Sequence, residues 1–117
     1  MKVLIVDDNP QIRQLLREYL PASASDVYEC ADGGEAISFF KKYRPDWVLM
    51  DQDMAVVDGI TAIREIIGEF PKANICMVTA FDDDDLRTEA FAAGASGFVV
   101  KDSLYQIEAI LVSEMEH

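Results

Sequence analysis

Short apolar runs alternate with longer segments of helical periodicity along this chain, and this alternation restricts the fold more than any other feature. The apolar runs are residues 2–6, 26–30, 47–50, 74–78 and 97–100. In the segment after each run, apolar residues recur every three or four positions, as they do on one face of a helix. Strands that alternate with helices in this way are typical of a parallel sheet covered by helices on both faces.

The order of the strands follows from their polarity and from the handedness of the connections. The second run, Asp26–Cys30, is less apolar than the others, which favours a position at the edge of the sheet. Right-handed crossovers leave few arrangements for five parallel strands. We therefore predict a flavodoxin-like, doubly wound (βα)5 fold with the strand order 2-1-3-4-5.

Several residues indicate where the helices begin and end. Asn9 is suited to be an N-cap, with Pro10 at the first helical position. Gly33-Gly34 is interpreted as a turn that precedes the second helix. Gly68 is expected to close the third helix, and Gly94 to be the C-cap of the fourth.

Length and charge limit the classes of function. The chain has 117 residues, half of them apolar, which fits one globular domain over residues 1–117 without an internal linker. Its formal net charge is −12. Because nucleic-acid binding by phosphate neutralisation requires clustered Lys and Arg, direct binding to nucleic acid or to an anionic membrane is not expected.

The cysteines and the hydropathy help to predict the cellular compartment of the protein. Cys30 and Cys76 lie inside strand-like runs and are expected to be buried thiols, not a disulfide or a zinc site. No apolar run approaches the roughly 20 residues that span a bilayer. The first strand begins at residue 2, which leaves no room for a signal peptide. A cytoplasmic location is therefore predicted.

Four of the apolar runs end at residues suited to phosphoryl chemistry. Asp7 and Asp8 follow the first run, Asp51 the third, Thr79 the fourth and Lys101 the fifth. Because the carboxyl ends of parallel strands lie along one edge of a sheet, we expect these side chains to converge. Three carboxylates so close together repel one another unless a cation lies between them. Mg²⁺ suits such a site because it prefers oxygen ligands.

The positions of these residues predict their chemistry. Asp51 follows the most central run and is the predicted nucleophile, since an Asp carboxylate that attacks phosphorus forms an acyl phosphate. Thr79 would donate a hydrogen bond to the phosphoryl oxygens, and Lys101 would neutralise their charge.

Simpler interpretations exist for single features. Asp7-Asp8, taken alone, fits a solvated loop equally well. The run Asp82–Asp85 is better explained as a helix N-terminus, where carboxylates complement the helix dipole, than as a metal site. Phe98, taken alone, is better explained as a core residue.

Four motifs together resemble the receiver domain of two-component response regulators. They are Val-Asp-Asp-Asn at 6–9, Met-Asp-Gln-Asp-Met-Ala-Val-Val-Asp-Gly at 50–59, Val-Thr-Ala at 78–80 and Phe-Val-Val-Lys at 98–101. Each motif alone is weak, but the four in this order, at strand ends, are specific. The resemblance covers the whole chain and implies a single receiver domain over 1–117, with no output domain in this chain.

The resemblance also implies roles for the acidic residues. Asp51 corresponds to the phospho-acceptor, which takes a phosphoryl group from a sensor histidine kinase or a histidine phosphotransfer protein. Asp8 and Asp51 correspond to Mg²⁺ ligands, and Asp7 helps to orient metal-bound water. The backbone carbonyl of Asp53 corresponds to the third protein ligand.

The remaining roles concern the response to phosphorylation. Thr79 and Phe98 correspond to the switching hydroxyl and the switching aromatic, and Lys101 to the phosphate-binding lysine. The surface of the fourth helix, fifth strand and fifth helix is implied to form homodimers or to dock partners. Such a domain is a phospho-acceptor switch that catalyses only its own phosphorylation and dephosphorylation.

Three positions depart from the usual pattern of the family. Ala55 replaces a frequent proline, which frees one φ angle but removes no catalytic group. Asp102 follows Lys101, where the family often has a proline with a cis bond. A cis bond without proline costs about 2.5–4 kcal/mol. The sequence therefore leaves both a cis and a trans Lys101–Asp102 peptide bond open. The carboxylate of Asp53 adds charge near Asp51 and could change dephosphorylation in either direction.

Related site chemistries fit less well. A haloacid-dehalogenase-type phosphatase also has an Asp-x-Asp motif, which 51–53 matches, but its acidic pair comes last in the chain, whereas Asp7-Asp8 comes first. A pseudo-receiver, which is never phosphorylated, usually lacks Asp51, Lys101 or the acidic pair, and this chain has all of them. A flavin-binding protein would need a phosphate-cradling loop after the first strand.

Overall fold

The structure is a computed structural model that describes residues 1–115. Within this range strands and helices alternate as the sequence predicts. The strands are β1 (Lys2–Val6), β2 (Asp26–Cys30), β3 (Trp47–Met50), β4 (Ile75–Thr79) and β5 (Gly97–Val100). The helices are α1 (Pro10–Glu18), α2 (Gly33–Tyr43), α3 (Gly59–Glu69), α4 (Asp84–Ala93) and α5 (Gln106–Met115). A 3₁₀ helix over Lys101–Ser103 joins β5 to α5.

The sheet is parallel and has the order β2-β1-β3-β4-β5, which confirms the predicted flavodoxin-like fold. The less apolar β2 lies at one edge, as its polarity predicts. Val6 at the end of β1 is opposite both Cys30 and Met50, and Thr79 is opposite Val100. Neighbouring strands therefore end at similar levels along one edge of the sheet.

The core forms two layers, one on each face of the sheet. Successive strand residues point to opposite faces, so Leu4 and Val6 pack with α2, α3 and α4, whereas Val3 and Ile5 pack with α1 and α5. All four residues of β3 are buried, as expected for a central strand covered on both sides.

The cysteines also agree with expectation. Cys30 and Cys76 are buried free thiols on β2 and β4, which are not neighbours in the sheet. Burial raises the pKa of both thiols to about 12, so neither is a reactive thiolate at neutral pH. The helices within residues 1–115 are too short or too polar to cross a bilayer.

Two of the predicted helix ends are confirmed. The side chain of Asn9 accepts hydrogen bonds from the backbone N–H groups of Gln11 and Ile12, and Pro10 is the first residue of α1. Gly94 follows α4 with φ of 113°, the left-handed conformation that glycine adopts at little cost.

Two other predictions of helix ends are wrong. Gly33 and Gly34 form the first turn of α2 and not a preceding turn, because the side chain of Asp32 caps the helix by accepting from the N–H of Glu35. Gly68 lies inside α3, which continues to Glu69. Local composition indicated that a helix starts after Gly34 and that another ends at Gly68. The cap at Asp32 brings both glycines into α2, and α3, one face of which is buried, continues past Gly68.

Candidate functional site

Four of the predicted site residues, Asp7, Asp8, Asp51 and Lys101, lie together at the carboxyl edge of the sheet. The N–H of Asp7 donates to the carbonyl of Cys30 at 3.2 Å, and the N–H of Asp51 donates to the carbonyl of Val6 at 2.9 Å. These bonds extend the strand pairing by one residue beyond β1 and β3. The two carboxylates therefore project from backbone that neighbouring strands hold in place.

Three carboxylates form a cluster at this edge. One oxygen from each of Asp7, Asp8 and Asp51 lies within 4.8 Å of the others. Asp7 and Asp51 are buried, and Asp8 is exposed, so the cluster opens to solvent on the Asp8 side. Oxygens bound at 2.0–2.1 Å to an octahedral Mg²⁺ lie at most about 4.2 Å apart. The upper limit of 4.8 Å is close to this span, and carboxylate oxygens suit Mg²⁺.

The ammonium of Lys101 bridges two of these carboxylates. Its Nζ donates to Oδ2 of Asp7 at 2.9 Å and to Oδ1 of Asp51 at 3.2 Å. Burial lowers the pKa of Lys101, but the hydrogen bonds and charges of the two carboxylates outweigh burial and hold it above its ordinary value. The peptide bond to Asp102 is trans, so Lys101 reaches the cluster without a cis bond.

The acidity of Asp51 is strongly altered. Burial is the main cause that raises its pKa to about 6, and the negative charge of Asp7 adds to the effect. Lys101 opposes the rise, and the charge of Asp53 contributes in the same direction as Asp7. The protein therefore lacks enough positive charge at this point to stabilise ionised Asp51, which favours the entry of a cation.

The carboxylate of Asp53 does not join the cluster. It is exposed and lies outside the group of three that approach within 4.8 Å of one another. The role of its carbonyl oxygen as a metal ligand stays a prediction.

The two predicted switch residues lie on β4 and β5. Thr79 is fully buried, and its Oγ1 accepts a hydrogen bond from the N–H of Phe81 at 3.2 Å. Phe98 is 5% exposed, and the guanidinium of Arg87 lies 4.7 Å from the centre of its ring. In this conformation Phe98 packs in the core, and the switching roles of both residues stay predictions.

The acidic run before α4 is explained by helix capping. Oδ1 of Asp83 accepts from the N–H groups of Asp85 and Leu86, and Asp84 and Asp85 occupy the first turn. Carboxylates at this position complement the helix dipole. The structure therefore agrees with the simpler interpretation of the run.

The sequence did not identify the residues that shape the loop after Asp51. A Cβ at Gly59 would collide with the carbonyl oxygen of Asp51 and would lie 2.9 Å from Cα of Gln52. The side chain of Gln52 accepts from the N–H of Ile60 at 2.9 Å. The start of α3 is thus packed directly on the backbone of Asp51. Asp58, the N-cap of α3, followed by glycine was the available sequence signal.

Comparisons with known proteins agree with this geometry. The family model described as "Response regulator receiver domain" matches residues 3–111. The "Protein CcdB" of Bacillus subtilis (strain 168) is 44% identical over 101 residues, which cover 86% of this chain and 84% of that protein.

Solved structures give the same result. A two-component response regulator of the LuxR family from Aurantimonas sp. SI85-9A1 has a TM-score of 0.85 and 35% identity, covering 96% of this chain and 85% of that chain. A CheX-CheY-BeF3-Mg complex from Borrelia burgdorferi has a TM-score of 0.90 and 27% identity, covering 98% and 89%. With the carboxylate cluster and its lysine at the edge where this fold has its sites, the chain belongs to the receiver domain family of two-component response regulators.

Proposed function

We propose that this receiver domain is a Mg²⁺-dependent phospho-acceptor switch. Asp8, Asp51 and the carbonyl of Asp53 would hold the ion, with Asp7 orienting its water. Bound Mg²⁺ would supply positive charge to the phosphoryl oxygens. The main support is that Lys101 bridges the buried carboxylates of Asp7 and Asp51 at 2.9 and 3.2 Å, beside a third carboxylate that faces solvent.

The proposed reaction is a transfer to Asp51. A carboxylate oxygen of Asp51 forms a bond to phosphorus while the bond from phosphorus to the histidine nitrogen of the donor breaks. The donor is a sensor histidine kinase or a histidine phosphotransfer protein. The ammonium of Lys101 then pairs with a phosphoryl oxygen. The similar CheX-CheY complex from Borrelia burgdorferi contains Mg and BeF3, and this similarity supports the same cation here.

Phosphorylation is proposed to change the surface of α4, β5 and α5. The phosphoryl group adds about −1.5 to −2 charge. Thr79 would exchange its bond with Phe81 for one to the phosphoryl group, and Phe98 would move into the vacated space. Phe91 on α4 and Tyr105 before α5 are 44% and 71% exposed and support a contact role for this face. A homodimer or a partner protein would bind there.

The setting of the domain remains a set of predictions from the sequence. These are a cytoplasmic location and no direct contact of this domain with nucleic acid or membrane.

The proposal is tested with a small phosphodonor. Wild-type protein is incubated with acetyl phosphate and Mg²⁺, and the intact mass is measured. We expect one phosphate-sized gain in wild type, none in Asp51→Asn, and a normal gain in Asp46→Asn, a matched change at the opposite edge of the sheet. A wild-type protein that never gains the mass would refute the proposal.

The metal is tested separately by thermal unfolding. A ligand that binds only the folded state raises the melting temperature by mass action. Millimolar Mg²⁺ should therefore stabilise wild type and should have little effect on Asp8→Ala. Equal melting temperatures of wild type with and without Mg²⁺ would contradict a metal site at the cluster.

A further inference from the structure

The side chain of Arg13 connects the acidic loop to the edge strand of the sheet. Its Nη1 donates to the backbone carbonyl of Asp7 at 2.5 Å, and its Nε donates to Oε1 of Glu29 on β2 at 2.8 Å. Building on the proposed function, we propose that Arg13 is a positioning residue. It fixes the peptide unit between Asp7 and Asp8, and thereby holds the Asp8 carboxylate where the metal binds.

The carbonyl of Asp7 controls the position of its neighbour. Asp7 itself is fixed through its side chain, since Oδ1 accepts from the N–H of Asn9 at 2.9 Å and Oδ2 from Lys101. Asp8 is exposed, and within residues 1–115 no hydrogen bond from the protein holds its carboxylate. Because a peptide unit is planar, a guanidinium that fixes the Asp7 carbonyl also fixes Cα of Asp8.

The guanidinium of Arg13 is itself held firmly. Its side chain is only 18% exposed, and Glu29 accepts from it on one oxygen and from Nε of Arg17 on the other, at 2.5 Å. Burial raises the pKa of Glu29, but the hydrogen bonds from Arg17 and Arg13 outweigh burial and keep it below its ordinary value. Glu29 therefore stays ionised at neutral pH, and the pair persists.

An arginine is specifically suited to this place. The carbonyl of Asp7 and the carboxylate of Glu29 are bound by different nitrogens of one rigid, planar group. A lysine ammonium is a single point on a flexible chain and cannot reproduce that fork. A partner that orients a metal ligand typically changes metal affinity 10–100-fold when it is removed, even though it never touches the ion.

Arg17 offers a matched control. It lies one turn along α1, donates to the same Glu29, and also reaches the carbonyl of Val27 at 3.5 Å. These bonds lead to β2 and not to the acidic loop. Loss of Arg17 loosens the contact between α1 and β2 but leaves the bond from Arg13 to Asp7.

The test is Mg²⁺ binding to the unphosphorylated full chain, measured by calorimetric titration. We expect Arg13→Gln to weaken Mg²⁺ about tenfold, Arg13→Lys to weaken it by a smaller factor, and Arg17→Gln to change it by less than about twofold. In phosphorylation by acetyl phosphate, Arg13→Gln should need more Mg²⁺ for half-maximal rate. Its maximal rate should match wild type, because Asp51 and Lys101 are intact.

Each result has a defined meaning. If wild type binds Mg²⁺ and Arg13→Gln binds it equally well, the role of Arg13 is wrong and the proposed function stands. If Arg17→Gln weakens binding as much as Arg13→Gln, the effect comes from the α1–β2 contact, and the inference is also wrong. If wild type binds no Mg²⁺, the proposed function and the inference fail together. Should circular dichroism show Arg13→Gln unfolded, the comparison of Arg13→Lys with wild type decides.

Discussion

Both edges of the sheet carry aspartates, but only the aspartates of the carboxyl edge share a lysine ammonium. At the amino edge, Asp46 accepts a hydrogen bond from the backbone N–H of Lys2 at 2.7 Å. At the carboxyl edge, Asp7 and Asp51 share the ammonium of Lys101. One oxygen of Asp7 also accepts from the backbone N–H of Asn9, so the carboxyl edge differs in having two buried carboxylates that share one ammonium.

The amino edge also carries a groove, which can be compared with the candidate site. A groove of about 520 Å³ lies at the amino edge, lined in part by Phe40, Phe70 and Arg44. The guanidinium of Arg44 lies 4.1 Å from the centre of the Phe70 ring, so a cation–π contact already engages its charge. None of the three clustered carboxylates lines this groove, so the candidate site is located by the carboxylate cluster and not by the groove.

The largest expected effect is that of removing the cation from the carboxyl edge. Lys101→Met leaves the buried carboxylates of Asp7 and Asp51 without their partner. We expect the free energy of unfolding at pH 7, without Mg²⁺, to fall by about 3 kcal/mol in urea denaturation. Phosphoryl uptake should slow by about 100-fold. Unfolding at the same urea concentration as wild type would show that the lysine does not stabilise this edge.

Asp51→Asn should have the opposite effect on stability. The pKa of Asp51 rises from its ordinary 3.8 to about 6 in the folded protein. Folding therefore takes up a proton between these values, so wild-type stability falls as pH rises from about 4 to 6 and stays reduced above pH 6. Asp51→Asn should be more stable than wild type at pH 7, by up to about 3 kcal/mol.

The pH dependence supplies the control for that prediction. Below about pH 3, where Asp51 is largely protonated in both states, the variant and wild type should have the same melting temperature. Mg²⁺ at pH 7 should also reduce the difference, because it stabilises only wild type. A wild type that is more stable than Asp51→Asn at pH 7 without Mg²⁺ would contradict the origin assigned to the raised pKa.

Substitutions of two glycines at opposite ends of α3 allow a direct comparison of the two edges. A Cβ at Gly59 would collide with the backbone of Asp51, whereas a Cβ at Gly68 meets nothing within 4 Å. Gly59→Ala should lower the free energy of unfolding by about 2 kcal/mol through overpacking and should disturb Mg²⁺ binding. Gly68→Ala should raise it by about 0.5–1 kcal/mol through helix propensity. Chemical denaturation of both variants checks the signs, and a shared sign would contradict the comparison.

Loss of Asp46 at the amino edge is expected to affect stability modestly and the site not at all. Asp46→Ala removes the acceptor of the Lys2 N–H, and a single hydrogen bond of this kind contributes about 1 kcal/mol. The affinity for Mg²⁺ and the uptake of phosphate should be unchanged. A loss of metal affinity in this variant would mean that the two edges are coupled and do not act independently.

Much of the fold and of the candidate site could be predicted from local patterns. The apolar runs and their polar ends were sufficient to predict the strand order and the edge at which Asp51 and Lys101 lie. The misassigned glycines Gly33 and Gly68 show the limit of such patterns, because a glycine is compatible with a turn or a helix. A neighbouring cap and the burial of one helix face decide between them.

Arg13 shows a different limit. In the sequence it is one of several charged residues on an amphipathic helix, and nothing distinguishes it from Arg17. Only the position of α1 beside β2 directs one guanidinium to the carbonyl of Asp7 and the other away from it. A contact to a backbone atom leaves no signature in residue type.

For this chain, hydrophobic periodicity and the strand ends determined which side chains reach the carboxyl edge. The face on which a side chain lies and the direction of its strand are local properties of the backbone. The tertiary structure decided how these side chains interact. Lys101 and Asp7 are 94 residues apart and meet only through the packed sheet. The raised pKa of Asp51 likewise depends on burial that no single segment supplies. Distance and desolvation arise only when the strands assemble, and they determine the acidity of Asp51.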